Sequence, residues 1–161
     1  MKRLLVIAAA VLILVSPVVA QELKKFSLDD AKWIGMQIKS DATIKTEGKS
    51  SIKITTLWPT SVCLGEVSGL NIENAKLIYK AKLKTDLQGS AYLEMWVSVD
   101  GGHYFSRGLD DQVQGKSDWK TVQTPFMFQK NQKPDKVTLN VVIKGIGTVW
   151  VDDIVISKEP L

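Results

Sequence analysis

Tyr92, Glu94 and Trp96, in the run Tyr92-Leu93-Glu94-Met95-Trp96, concentrate the binding chemistry of this chain. At a spacing of two they share one face of a strand, opposite Ala91, Leu93, Met95, Val97 and Val99. Two rings flanking a carboxylate offer apolar faces for stacking and a planar acceptor for hydroxyl or amide donors. The following segment adds His103, Tyr104 and Arg107, and Leu57-Trp58-Pro59-Thr60 adds an aromatic at a separate turn. The candidate ligand-binding residues are therefore Tyr92, Glu94, Trp96, Tyr104, Arg107 and Trp58. Packing beneath a covering loop is the competing role for Tyr92 and Trp96, and a solvated or cross-strand pair is the competing role for Arg107. Trp33, Trp119 and Trp150 are expected to pack in the core or against a sheet.

Catalytic patterns are sparse. His103 is the single histidine, no serine or cysteine stands in a recognisable nucleophile setting, and there is neither H-E-x-x-H nor a glycine-rich phosphate loop. A glycoside hydrolase needs two carboxyls facing one another across a cleft. Glu94 with Asp110 or Asp111 supplies the residue types, but sequence gives no separation. The chain reads as a non-enzyme.

The elements that must position these residues are strands. Leu77, Tyr79, Ala81 and Leu83 alternate with Lys80, Lys82 and Lys84, and Val137, Leu139, Val141 and Ile143 alternate with Thr138, Asn140 and Lys144. Shorter candidates are 33–39, 42–46, 51–57 and 62–67. Residues 119–128 form another, with Pro125 placing it at an edge or a bulge because proline cannot donate to a ladder. Turn chemistry is expected at 47–49, 87–90, 100–103 and 144–147, each with glycine, and at Asn131-Gln132-Lys133-Pro134-Asp135. Ser27-Leu28-Asp29-Asp30 suggests a capping box opening one short helical turn. In the closing run Gly147 to Ile156, Val149 and Val151 have one parity and Ile154 and Ile156 the other. One extra residue at Asp152-Asp153, a β-bulge, would bring all four to the core, turning one carboxylate inward and leaving the other at the surface.

The first twenty residues read as a cleavable signal peptide. Lys2 and Arg3 precede an apolar run from Leu4 to Val15, and Val18-Val19-Ala20 offers a small-residue cleavage site before Gln21. Removing 20 of 161 residues leaves 141, enough for a single domain over 21–161, and without Lys2 and Arg3 the formal charge falls from +4 to +2. The mature chain is expected to be exported, periplasmic or extracellular, with no membrane span. Its lysines are scattered, which argues against nucleic acid. Cys63 is alone, so no internal disulfide forms, and Ser61-Val62-Cys63-Leu64 suggests a buried thiol.

Three segments in order carry a resemblance. Thr46-Glu47-Gly48-Lys49-Ser50-Ser51-Ile52-Lys53-Ile54, Ser117-Asp118-Trp119-Lys120-Thr121-Val122 and Gly147 to Ile156 resemble strands of galactose-binding-like jelly rolls, the group that holds many carbohydrate-binding modules. The pattern also resembles small exported bacterial proteins. The resemblance implies an all-β sandwich or jelly roll, a structural calcium near the closing acidic pair, and a sugar-binding surface on a sheet face or at the edge loops. For calcium it points to Asp152, Asp153 and Glu47, with Asp29 or Asp30 as substitutes, because Phe26-Ser27 stands where many members carry an acidic residue. The competing role for Asp152 is to accept hydrogen bonds from a neighbouring turn and lock the bulge. The function implied is a noncatalytic module for a carbohydrate or cell-envelope glycan. The alternative is an exported structural or interaction protein that docks an envelope protein through a sheet face or edge. No feature sets an oligomeric state.

Overall fold

The computed structural model describes residues 20–29 and 37–161. The expected signal peptide, apart from Ala20, lies outside the described residues, as do Asp30 and Trp33. Eight strands follow in order among these residues: β1 Gln21–Lys25, β2 Ile38–Asp41, β3 Ser51–Thr56, β4 Thr60–Ser68, β5 Ala75–Val99, β6 Gly102–Arg107, β7 Val113–Phe128 and β8 Lys136–Pro160. Every pairing is antiparallel. The described residues contain no helix, and so none long and apolar enough to cross a membrane.

Two strands of 25 residues, β5 and β8, organise the rest. They pair with each other from Ala75 opposite Pro160 to Ser98 opposite Lys136, and each serves two layers. The first layer runs β4–β8–β5–β6, using 136–144 of β8 and 90–99 of β5. The second runs β2–β3–β8–β5–β7, using the other halves of the long strands, with β1 beside the end of β8. The sheet passes between layers where Gly89 lies opposite Gly145. The backbones approach so closely there that a Cβ on Gly89 would strike the Lys144 carbonyl, and one on Gly145 the Gln88 carbonyl. Both φ angles, +139° and +155°, are ones that side chains disfavour. The expected turns at 87–90 and 144–147 are therefore corrected. The glycines mark a fold-over of two continuous strands.

The alternation forms the core as expected. Leu77, Tyr79, Ala81 and Leu83 from one half of β5 join Leu93, Met95 and Val97 from the other in one buried cluster. From β8 come Val137, Leu139, Val141, Ile143, Val149, Val151, Ile154 and Ile156. Burial of each large aliphatic side chain contributes about 1.5–3 kcal/mol. The parity switch in β8 is a bulge, since Lys80 pairs with Val155 but Lys82 with Asp152, and Asp153 takes φ +50°. Asp152 turns inward at 2 % exposure and Asp153 stays half-buried.

Several local expectations are revised. Residues 42–46 form bends rather than a strand, because the Asp41 side chain accepts the backbone N–H of Thr43 and Ile44 and curls the chain. Ser27 to Asp29 is not helical, and Asp29 instead accepts the N–H groups of Lys49 and Ser50. Cys63 is exposed: period two sends Val62 and Leu64 to the core and Cys63 outward. Pro125 lies on β7, whose backbone ladder among the described residues is with β5 alone, and its carbonyl accepts the Ser106 hydroxyl of β6.

Candidate functional site

The outer face of the first layer is a four-strand grid. Direct pairing aligns Cys63, Asn140, Glu94 and Arg107 in one row from β4 to β6. The next row is Glu66, Thr138, Trp96 and Phe105, and the third is Ser68, Lys136, Ser98 and His103. The register of β6 follows from a tight hairpin in which Asp100 and Gly101 take φ +52° and +74°, the geometry of a two-residue type I′ turn. That turn places Arg107 beside Glu94 and Phe105 beside Trp96.

Glu94 is the hub. Its residue is 5 % exposed, and it accepts Trp96 Nε1 at 2.8 Å, Arg107 Nε at 2.6 Å and Asn140 Nδ2 at 3.4 Å. A carboxylate buried this far needs such donors, because an unpaired buried charge costs several kcal/mol. The hydrogen bond to Glu94 raises the Arg107 pKa above its ordinary value, so the guanidinium stays charged throughout. Arg107 also lies over the Phe105 ring at 4.4 Å, and the Trp96 and Phe105 rings pack at 5.3 Å and 47°. The guanidinium is thus held at its Nε edge and beneath its plane. Its remaining N–H groups are left for a planar, paired acceptor. Trp96 and Phe105 are both substantially exposed, at 39 % and 51 %.

Of the six candidate binding residues, Glu94, Trp96 and Arg107 meet in one network. Tyr92 shares their face but is buried at 3 %, with the Lys144 ammonium 5.5 Å from its ring, and serves as floor. The other two lie apart from this network. Tyr104 pairs with Val97, so its parity is opposite to that of Trp96, and its ring lies against Gly102. Trp58 lies at the β3–β4 turn and lines a groove on the second layer with Lys39 and Lys53. Phe105 and Asn140 were missed. Counting across the Asp100-Gly101 turn finds the first, and the polar parity that Asn140 shares with Thr138 and Lys144 on β8 marks the second.

The metal candidates converge, but their oxygens are already engaged. Asp152 Oδ2 accepts the N–H of Thr46 at 2.6 Å, the Thr46 hydroxyl at 2.9 Å and the N–H of Glu47 at 3.2 Å, while Oδ1 accepts the N–H of Asp153. This is the bulge-locking role. The Lys25 ammonium lies 2.7 Å from Glu47 and 3.0 Å from Asp153, and Lys82 reaches Asp153 at 3.2 Å. Burial pushes the Asp153 carboxyl upward, yet hydrogen bonds from the two lysines outweigh it and hold it below the usual range. The same contacts raise Lys25, through Glu47 first and Asp153 second. Calcium needs six to eight oxygens free to converge. Among the described residues this donor set does not fit it, and no cluster of three or more His, Cys, Asp or Glu that could hold a metal forms there.

This fold recurs in solved structures. A CBM22 xylan-binding domain superposes with a TM-score of 0.57 at 7 % identity, over 85 % of this chain and 94 % of that one. The fold is shared with carbohydrate-binding modules. A CBM22-1 xylan-binding domain from Paenibacillus barcinonensis gives 0.53 at 16 % identity over 77 % and 81 %. A family 16 carbohydrate-binding module gives 0.55 at 11 % over 76 % and 86 %. At these identities the likeness is one of fold. No protein-family model matches the chain, and neither does any curated protein.

Proposed function

We propose that the protein is an exported, noncatalytic, single-domain module that binds a glycan chain across the outer face of its first layer. One observation carries this reading: Glu94 fixes Trp96 and Arg107 in place while Trp96 and Phe105 remain exposed beside them. Sugars present C–H faces that stack on aromatic rings and vicinal hydroxyls that suit a planar, two-pronged donor. Trp96 and Phe105 supply the first requirement and Arg107 the second, with Glu94 as a positioning residue. Both Glu94 oxygens are occupied by fixed donors, which suits orientation better than proton transfer. Asp111 in turn accepts the Gln123 N–H. Structural neighbours named as xylan-binding domains support the substrate class.

The test is affinity electrophoresis of the purified chain through gels containing neutral polysaccharides, xylan first. Retardation by at least one glycan is expected, with affinity falling tenfold or more in Trp96→Ala and Arg107→Met. Cys63 sits in the Glu94 row, so bound glycan should also slow its alkylation. Unaltered affinity in both variants would remove this face from consideration.

A further inference from the structure

We propose a second saccharide site on the opposite face of the molecule, built for a carboxylate-bearing sugar, that is, a uronate residue in a polysaccharide. The groove lies on the outer face of the second layer, has a volume of about 460 Å³, and is lined by Gln37, Lys39, Lys53, Thr55, Leu57 and Trp58. Three observations identify its occupant.

The first is charge. Lys39 and Lys53 are directly opposite each other on β2 and β3. Like charges in that relation destabilise a sheet. Among the described residues neither ammonium has a carboxylate within 4.0 Å to offset that repulsion. Asp41, which feels the Lys53 charge, is bound by the N–H groups of Thr43, Ile44 and Trp150. An anion placed between the two lysines would relieve the repulsion.

The second is apolar exposure. Trp58 is 56 % exposed and Leu57 76 %, beside those ammonium groups. Their turn is fixed: the Thr56 hydroxyl donates to the Trp58 carbonyl at 2.6 Å, and the Trp58 N–H returns to that hydroxyl at 3.3 Å. The indole is therefore presented from a braced backbone at low ordering cost. The third is the support beneath Lys53. Its ammonium lies 5.4 Å from the Trp150 ring, and Trp150 Nε1 donates to Asp41 at 2.9 Å.

An aromatic face for C–H stacking, two cations for one carboxylate, and Thr55 with Gln37 for hydroxyls together describe a uronate. The site is independent of the Glu94 face, and its test separates the two.

The experiment is affinity electrophoresis and calorimetry of the purified chain with polygalacturonate, its fully methyl-esterified form, and dextran sulfate. Wild type should bind polygalacturonate and lose at least tenfold on esterification. Lys39→Met/Lys53→Met and Trp58→Ala should each cost tenfold or more, while Glu94→Gln and Trp96→Ala leave this binding unchanged. Failure to bind polygalacturonate would overturn the proposal, as would equal binding of the ester. So would loss in the lysine variant without loss in Trp58→Ala, together with equal binding of dextran sulfate, which is the signature of charge alone. Thermal unfolding controls for folding: removing the opposed lysines should leave the midpoint unchanged or raise it. Lys39→Gln/Lys53→Gln provides a second variant, and full binding by it would equally sink the site.

Discussion

Glu94→Gln tests the network most directly, because it keeps the shape of the side chain and removes its charge. The Gln amide oxygen can still accept Trp96 Nε1 and Asn140 Nδ2, so those two bonds survive in weakened form. The bond from Arg107 Nε does not, since the new amide NH₂ would confront it donor against donor. A hydrogen bond to a charged group contributes about 1.5–3 kcal/mol. The Arg107 side chain is 41 % exposed and regains water when released, which favours the lower half of that range. The opposed donors on the buried side add about 1 kcal/mol. The expected loss is about 3 kcal/mol, or a fall of roughly 6–12 °C in Tm for a domain of this size. Urea unfolding of wild type, Glu94→Gln, Arg107→Met and the double variant gives the coupling directly, expected at about 1–2 kcal/mol. Glycan affinity should fall in Glu94→Gln although Glu94 itself is nearly inaccessible. A stability change under about 0.5 kcal/mol with no measurable coupling would refute the hub.

Further outcomes follow from the same structure. Gly145→Ala forces a Cβ into the Gln88 carbonyl and should cost about 2–5 kcal/mol, whereas Gly101→Ala, with no atom within 4 Å of its Cβ, should cost about 1 kcal/mol; equal costs by chemical denaturation would show that the fold-over is not tight. Among the described residues the buried Tyr79 hydroxyl has no hydrogen-bond partner, so Tyr79→Phe should raise stability by about 1 kcal/mol, and a loss of that size would reveal a bonded hydroxyl. Asp153 has its pKa lowered in the fold, so its contribution is present above the ordinary 3.8 and disappears as pH falls through the folded value; Asp153→Asn should flatten the acid limb of a Tm–pH curve. The Lys25 pKa is raised, so its contribution holds below the ordinary 10.5 and is lost only as pH climbs beyond it. Chelator should leave the wild-type unfolding midpoint unmoved, and a drop of several degrees would restore calcium to the Asp152 region.

The architecture was legible wherever a parity rule applied. Alternation located both halves of β5 and of β8, and the parity switch at Asp152-Asp153 gave the bulge together with the fates of both carboxylates. Glycine misled because one conformational freedom serves two purposes. Gly89 and Gly145 need positive φ for close backbone approach, not for reversal, and only their mutual pairing tells these apart. Cys63 was misjudged by weighting its apolar chemistry above its position between Val62 and Leu64. β1 escaped notice because Gln21–Lys25 sends a single side chain, the half-buried Leu23, toward the core, too little for an alternation to register. The candidate site was half visible. Glu94, Trp96 and Arg107 were named, but Tyr104 was chosen over Phe105 because sequence proximity was used without the hairpin register that separates their faces.

The placement of β8 governs when this chain can fold. Residues 136–160 supply an inner strand of both layers and pair with β1, β3, β4 and β5, up to 137 positions away, as for Gln21 opposite Lys158. A nascent chain that has not yet released this segment has edges but no centre, so neither layer can close before β8 is free to pair. Contacts this distant in sequence also make the search slow. The polypeptide thus stays open until β8 emerges, and the two layers then close together on one strand rather than one after the other.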